Sequence, residues 1–175
     1  TATAGALMSA LTTGAYAKIR EQFGISIGKF EGIEEALAPI GGLSYSVNAM
    51  RELTLSALDN GIKPSIASAI AKYHSTEIGR KVVNHAMDIH AGKGVIAGPS
   101  NYLATGYQSI PVGITVEGAN ILTRSLMIFG QGAMRAHPHL RDVFESLLHE
   151  DKAKAKLAFD KNIHRHLGYL FSNTV

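Results

Sequence analysis

A single carboxylate in the most apolar quarter of the chain is the strongest candidate for chemistry. Glu117 lies between Val116 and Gly118, close to the expected start of a helix. A carboxylate surrounded by apolar groups has its proton affinity raised, which suits a general base. An acidic residue in a first helical turn can equally well serve only to complement the helix dipole. Composition alone favours this second interpretation.

Glycines near the middle of the chain raise the question of a phosphate-binding loop. Gly92, Gly94 and Gly98 follow a predicted helix and read GxGxxxG. The dinucleotide fingerprint needs GxGxxG between a strand and a helix. The spacing therefore argues against a Rossmann-type site.

Histidines raise the question of metal binding. Two pairs with one intervening residue stand out, namely His137 with His139 and His164 with His166. On a helix, side chains two positions apart point in different directions. No HExxH motif is present, and nearby carboxylates lack ligand-like spacing. Solvated or capping histidines are the favoured interpretation, and we predict no metal site.

Composition bounds the class of protein. The 175 residues are 46% hydrophobic and 18% charged, which predicts a packed globular domain. The net charge is only +3 and the basic residues are scattered, so nucleic acid is not an expected partner. The chain has no cysteine, which excludes disulfides and thiolate ligands and fits a cytoplasmic location. No apolar run of about 18 residues occurs, so no transmembrane segment is predicted.

The elements that must position these residues are helical. Apolar residues recur at steps of three or four through most of the chain, and no strand-like alternation of useful length is present. Pro39 and the pair Gly41-Gly42 are expected to kink or divide the second helix. We predict an all-α, up-and-down four-helix bundle with additional C-terminal helices. The main helices are expected at about residues 3–22, 30–58, 64–89 and 119–132, with a short one at 101–108 in an otherwise irregular loop.

Four segments, taken in order, resemble the C-terminal helical domain of the acyl-CoA dehydrogenases. They are Ile19-Arg20-Glu21-Gln22-Phe23-Gly24, residues 88–94, residues 106–111 and residues 116–124. The likeness implies an acyl-CoA dehydrogenase bundle domain at 1–130. It also implies that residues 131–175 begin a C-terminal helical extension, as in the large bacterial members that act in fatty-acid β-oxidation. The N-terminal helical domain and the middle β-domain of that family are absent, so the chain is expected to be a fragment.

The first segment is similar to the family's R-x-x-F-G signature. The resemblance implies that Arg20 binds the FAD pyrophosphate of a neighbouring subunit and that Phe23 lies beside the adenine. Gln22 is assigned to the same cofactor site.

The second segment, DIHAGKG, is similar to the family's Q-x-x-G-G-x-G loop. The resemblance implies that Asp88, Ile89, Ala91 and Gly92 meet the adenosine end of FAD across the same subunit interface. Asp88 stands where glutamine is usual, and Ala91 stands where glycine is usual.

The fourth segment, VEGANILTR, resembles Y-E-G-T-x-Q-I-Q-R, in which the glutamate is the catalytic base. Glu117 takes that role by resemblance, and Gly118 is assigned to substrate binding. Ala119 and Ile121 are assigned to FAD binding, in place of the usual threonine and glutamine. We expect burial of Glu117 near Val116, Ile114 and the acyl chain of the substrate to raise its proton affinity.

The implied reaction is FAD-dependent α,β-dehydrogenation of fatty acyl-CoA to trans-2-enoyl-CoA. The resemblance further implies homo-oligomers, electron-transfer flavoprotein as acceptor and a cytoplasmic location, with peripheral attachment to the inner membrane left open. The isolated fragment is expected to be inactive. Two alternatives stay open: a non-catalytic helical oligomerisation or interaction module, and an acyl-CoA oxidase-type relative that passes electrons to oxygen.

Overall fold

The computed structural model describes residues 1–173 and divides the chain into two compact units. The first unit is Thr1–Arg124 and the second is Ser125–Val175. The chain is 79% helical, so the predicted all-α fold is confirmed. The predicted domain boundary at residue 130 stays a prediction.

The first unit is built on three long helices that pack against one another. These are α1 (Ala2–Ile19), α2 (Glu31–Asp59) and α3 (Ser65–His90), and α5 (Ala104–Thr115) packs on α3. Small residues at the contacts, including fully buried Ala6 and Ala17 on α1, allow close approach of the helices. The core they share with β-branched and larger side chains is Ala6, Ala17, Ile27, Ile40, Val47, Val82, Ala86, Ile89 and Leu103.

The end of α1 and the continuity of α2 differ from the sequence predictions. Helix α1 ends at Ile19, three residues early, because Arg20 is extended and opens a short hairpin of β1 (Glu21–Gln22) and β2 (Ile25–Ser26). A 3-10 turn, Ile27–Lys29, then leads into α2. Helix α2 runs unbroken through Pro39, so division of this helix did not occur. Proline removes only its own donor, and burial of Ile40, Ser44 and Val47 keeps the helix together.

The expected irregular loop after α3 is more helical than predicted. A four-residue helix α4 (Gly92–Val95) follows α3, and α5 extends to Thr115 with Pro111 inside it. The hydroxyl of Thr115 donates to the Pro111 and Val112 carbonyls, which satisfies acceptors near the end of the helix. The predicted fourth helix begins as α6 (Asn120–Leu122) and continues as a π-helix over Thr123–Gln131.

The second unit contains α7 (Gly132–Ala136), α8 (Leu140–Ser146) and α9 (Lys152–Ser172), and α8 packs against α9. Asp151 caps α9 by accepting from the backbone N–H groups of Ala153 and Lys154. His137 Nδ1 accepts from the N–H groups of His139 and Leu140, each at 3.1 Å, at the start of α8. This histidine is therefore a cap, as the favoured interpretation held. Burial lowers the pKa of His137, and His166 and His139 lower it further.

None of the helices in residues 1–173 combines the length and apolar character needed to span a bilayer. Among the same residues, no three His, Cys, Asp or Glu side chains are grouped so that they could hold a metal ion.

Candidate functional site

The hairpin after α1 presents an aromatic ring to solvent. Phe23 and Gly24 form its two-residue turn with φ of +53° and +79°, the type I′ pattern that suits a tight hairpin. The Phe23 side chain is 93% exposed and meets the edge of Phe30 at 6.3 Å between ring centroids. Ser26 Oγ donates to the Ala17 carbonyl at 2.7 Å, which anchors the hairpin to the end of α1. The position of Phe23 is therefore held by a folded turn.

The end of α3 leads into a loop that is closed by one asparagine. Ala91 follows the helix at φ +48° and ψ −128°, a conformation that glycine adopts far more readily than alanine. Asn101 Nδ2 donates to the carbonyls of Gly94 and Ile96 at 2.7 and 2.9 Å. Its Oδ1 accepts from the N–H of Ala104 at the start of α5. These bonds fix the loop against the helix that follows.

These two segments, distant in sequence, face the same cavity of about 1110 Å³. Seven residues assigned to FAD by resemblance line it: Arg20, Gln22, Phe23, Asp88, Ile89, Ala91 and Gly92. Ile89 is buried in the core, so it can offer a ligand little beyond its backbone. The others are exposed.

The charges and shape of this cavity fit an anionic nucleotide. Arg20 and Lys93 bring two cations to its lining and Asp88 brings one carboxylate. An exposed aromatic ring beside a cationic group suits a base next to a phosphate. The loop at Gly92 offers backbone without a side chain, which permits close approach. The residues present therefore fit the adenosine and phosphate portions of FAD.

His90 lies in the wall of the same cavity and is absent from the sequence predictions. Its side chain is 2% exposed and stacks on Tyr16, with ring centroids 4.2 Å apart. Nδ1–H donates to the Ala86 carbonyl at 2.8 Å, which leaves Nε2 to accept from the Tyr102 hydroxyl at 2.5 Å. Burial lowers the pKa of His90; the Ala86 bond partly opposes this and the charge of Lys93 adds to it. A neutral imidazole therefore links α3 to the loop before α5.

The sequence carried a weak signal for His90. It follows Ala86 by four positions on the apolar stripe of α3, where a polar group needs a partner. The partner, Tyr102, is identified only by the fold. Burial raises the pKa of the Tyr102 hydroxyl, and Tyr16 raises it further, so the hydroxyl stays protonated and donates.

Glu117 occupies the turn between α5 and α6. Glu117 and Gly118 have φ of +54° and +93°, and Ala119 is the N-cap of α6. The glutamate therefore precedes the helix by three residues and does not lie in its first turn. Residues Glu117, Gly118, Ala119 and Ile121 do not line the cavity that holds the other seven.

Residues 1–173 alone leave Glu117 exposed, and its expected burial beside a bound acyl chain stays a prediction. Its side chain is exposed, and the neighbouring Val116 and Ile121 are themselves 49% and 77% exposed. No apolar environment therefore surrounds the carboxylate within residues 1–173. The side chain is instead accessible to a ligand lying over the turn.

Lys72, on α3, holds the turn that carries Glu117 and was not predicted from the sequence. Its Nζ donates to the Gly118 carbonyl and to Asn120 Oδ1, both at 2.7 Å, and to the Ile114 carbonyl at 3.3 Å. The Thr123 hydroxyl also donates to the Gly118 carbonyl, at 3.2 Å. The sequence gave no sign of the Lys72 contacts, because Lys72 lies more than 40 positions from each of its three acceptors.

Comparison with known proteins finds two family models that match most of the chain. The family model described as acyl-CoA dehydrogenase, C-terminal domain, matches residues 1–131. A second model, acyl-CoA dehydrogenase, C-terminal, bacterial type, matches residues 134–175. A 3-(aryl)acrylate reductase of Clostridium sporogenes is 37% identical over 84 residues, which are 46% of this chain and 22% of that protein.

Solved structures show the same fold. Glutaryl-coenzyme A dehydrogenase in complex with glutaryl-CoA matches 77% of this chain and 34% of its own, with a TM-score of 0.68 and 24% identity. The FAD complex of PigA matches 80% of this chain and 34% of its own, with a TM-score of 0.68 and 19% identity. The chain thus spans about a third of the length of these two proteins and about a fifth of the reductase. At these identities the two structures establish the fold alone.

Proposed function

The chain belongs to the acyl-CoA dehydrogenase family, and from that premise we propose that it supplies the catalytic base and part of the FAD site of an enzyme that oxidises fatty acyl-CoA to trans-2-enoyl-CoA. The family consists of oxidoreductases that act on CH–CH donors. The observation that carries the proposal is the meeting of Arg20, Phe23, Asp88 and Gly92 at one cavity.

Residues of this cavity would hold the cofactor of a neighbouring copy of the protein. The Arg20 guanidinium would bind the pyrophosphate, since its planar donors match phosphate oxygens. The Phe23 ring would stack on the adenine, and Gln22 and Asp88 would offer polar contacts to the adenosine half. Gly92 would bring its backbone close to that half. Homo-oligomerisation is part of the proposal, because these residues would serve a cofactor held mainly by a partner copy.

The turn at Glu117 would perform the acid–base step. The carboxylate removes the proton on the α-carbon of the thioester, so that the α-C–H bond breaks and the proton moves to a carboxylate oxygen. The backbone N–H of Glu117 donates to the thioester carbonyl and stabilises the negative charge that develops on its oxygen. The chemistry that FAD would supply when bound is acceptance of the β-hydrogen with its electron pair, so that the carbon–carbon double bond can form.

The exposure of Glu117 is consistent with this role. A base that must reach a substrate carbon has to be uncovered until the substrate arrives, and the acyl chain itself would then exclude water. Exposed Val116 and Ile121 beside it would provide apolar contact for that chain or for the flavin. Ala119 and Ile121 lack the side-chain donors usual in the family, so their contacts to FAD would be through backbone or apolar surface.

The decisive experiment is Glu117→Gln in the complete protein that contains this chain. Glutamine preserves the size of the side chain and removes its basicity, so we expect FAD to stay bound while acyl-CoA no longer bleaches flavin absorbance under anaerobic conditions. Glu35→Gln is the matched control, because Glu35 is an exposed glutamate on α2. Bleaching at the wild-type rate in the Glu117 variant would refute the assignment.

The same preparation of the complete protein can be used to identify the substrate and the electron acceptor. Acyl-CoA thioesters of graded length should be compared with aryl-substituted ones, because a relative of this chain is a 3-(aryl)acrylate reductase. Electron transfer to electron-transfer flavoprotein supports the dehydrogenase, whereas peroxide production indicates the oxidase-type alternative. Absence of bound flavin in the complete protein would favour the interaction module.

A further inference from the structure

The ammonium group of Lys72 uses all of its donors on one segment of chain. Nζ reaches carbonyls on both sides of Glu117, those of Ile114 and Gly118, and the side chain of Asn120. An ammonium has three N–H donors and no acceptor, so these three oxygens saturate it. Lys72 therefore joins the first third of α3 to the end of α5 and the start of α6.

Asn120 extends this connection back to α3. It is 4% exposed, and its Nδ2 donates to Thr76 Oγ1 at 2.9 Å and to Glu77 Oε1 at 2.8 Å. The Thr76 hydroxyl in turn donates to the Lys72 carbonyl at 3.0 Å. Every polar atom of the Asn120 side chain thus has a partner on the same helix. A network of this kind specifies one arrangement, since each lost bond leaves a buried group unsatisfied.

The turn that this network holds would otherwise be a poor scaffold. Glu117 has a left-handed backbone, which carries a conformational cost for a residue other than glycine, and the Gly118 that follows is intrinsically flexible. The last carbonyls of α5 also lack intrahelical donors, and a cation there complements the negative end of the helix dipole. Lys72 fixes the turn through the Gly118 carbonyl and complements the end of α5 through the Ile114 carbonyl.

We propose that Lys72 is a positioning residue for proton abstraction, acting through the turn that carries Glu117. This inference rests on the proposed role of Glu117 as the base. The lysine contacts neither cofactor nor substrate in the proposal, and its effect is to hold the carboxylate and the Glu117 N–H in register with the thioester. Displacement of a catalytic group by about 1 Å can lower a rate by about 100-fold, so loss of this anchor should affect the chemical step strongly.

The test is Lys72→Met in the complete protein, a substitution that keeps the length of the side chain and removes its charge and donors. We expect the rate of flavin reduction by saturating acyl-CoA to fall by about 100-fold. FAD content and the dissociation constant for acyl-CoA should change by less than about twofold, because neither binding site contains Lys72. Lys81→Met, at an exposed lysine on the same helix, is the matched control and should leave all three quantities unchanged.

A second background separates positioning from general damage. Glu117→Asp shortens the base and already misplaces its carboxylate. In that background Lys72→Met should lower the remaining rate by much less than in the wild type, because the two changes impair the same geometry. Full additivity of the two effects would overturn the proposal, as would parallel losses of rate, FAD content and substrate affinity.

Failure of this inference is distinguishable from failure of the proposed function. If Glu117→Gln stops flavin reduction while Lys72→Met reacts at the wild-type rate, the assignment of Glu117 as the base is supported and the positioning role of Lys72 is overturned. If Lys72→Met does not fold, Thr76→Val gives a milder break in the network, since it removes only the hydroxyl that accepts from Asn120. That variant should lower the rate several-fold with FAD content intact, and an unchanged rate would overturn the proposal.

Discussion

Replacing Ala91 by glycine should stabilise the protein, although the same change at most positions destabilises. Ala91 joins α3 to α4 with φ +48° and ψ −128°. Among residues 1–173, only Phe23, Ala91 and Glu117 are non-glycine residues with positive φ. A side chain at such a backbone conformation costs about 1–3 kcal/mol. The Ala91 side chain is exposed, so removing its methyl group loses little packing.

The net effect is the difference between two terms. Glycine relieves the backbone strain, and it costs about 0.4–1 kcal/mol through the greater freedom of the unfolded chain. The free energy of unfolding should therefore rise by up to about 2.6 kcal/mol. For a chain of this size each kcal/mol shifts the melting temperature by about 2–4 °C. The expected gain in melting temperature is thus up to about 10 °C.

Urea unfolding followed by far-UV circular dichroism measures this difference through the transition midpoint. Ala97→Gly is the matched control, because Ala97 is also exposed in the loop after α3 and has no positive φ. That variant should be destabilised by about 0.4–1 kcal/mol, since it gains entropy in the unfolded state without relief of strain. Equal destabilisation of the two variants would refute the strain argument.

Two further predictions concern the same cavity. Burial lowers the pKa of His90, so the unfolded chain binds a proton near pH 6.5 that the folded chain binds only at lower pH. The free energy of unfolding should therefore be independent of this group above about pH 6.5 and should decrease as the pH falls below that value. His90→Gln should flatten this decline in urea midpoints between pH 7.5 and 5.5, and an unchanged slope would contradict the assignment. Phe23→Asn should keep or slightly raise stability, because asparagine tolerates the left-handed turn. It should also weaken FAD binding by about tenfold in a titration of the complete protein, since stacking on a base is worth about 1–3 kcal/mol; unaltered affinity would exclude a stacking role for Phe23.

The local spacing of apolar residues was sufficient to predict much of the fold. Apolar spacing located the long helices, because a helix that packs must show one apolar stripe whatever it packs against. The break at Phe23-Gly24 was visible as a glycine-containing turn, although the early end of α1 was not. The course of α2 through Pro39 could not be read locally, since burial of Ile40, Ser44 and Val47 outweighs the lost hydrogen bond.

Motifs in the sequence also indicated the family and the residues to inspect. Short segments such as REQFG and VEGANILTR keep their residue types in order along the chain, so they are readable without coordinates. The substitutions at Ala91, Ala119 and Ile121 were visible in the same way. Their consequences were not, because the strain at Ala91 is a property of its backbone angles.

Tertiary structure alone decided which of these residues meet. Packing of α1 against α3 brings the hairpin and the loop after His90 to one cavity, while it leaves Glu117 exposed at a separate turn. The Lys72 network and the hydrogen bond between His90 and Tyr102 were likewise decided only by the tertiary structure. Hydrogen bonds between distant residues depend on how whole helices pack, and sequence spacing records only the periodicity within each helix. Sequence therefore determined the helices and the candidate residues, and packing determined their neighbours.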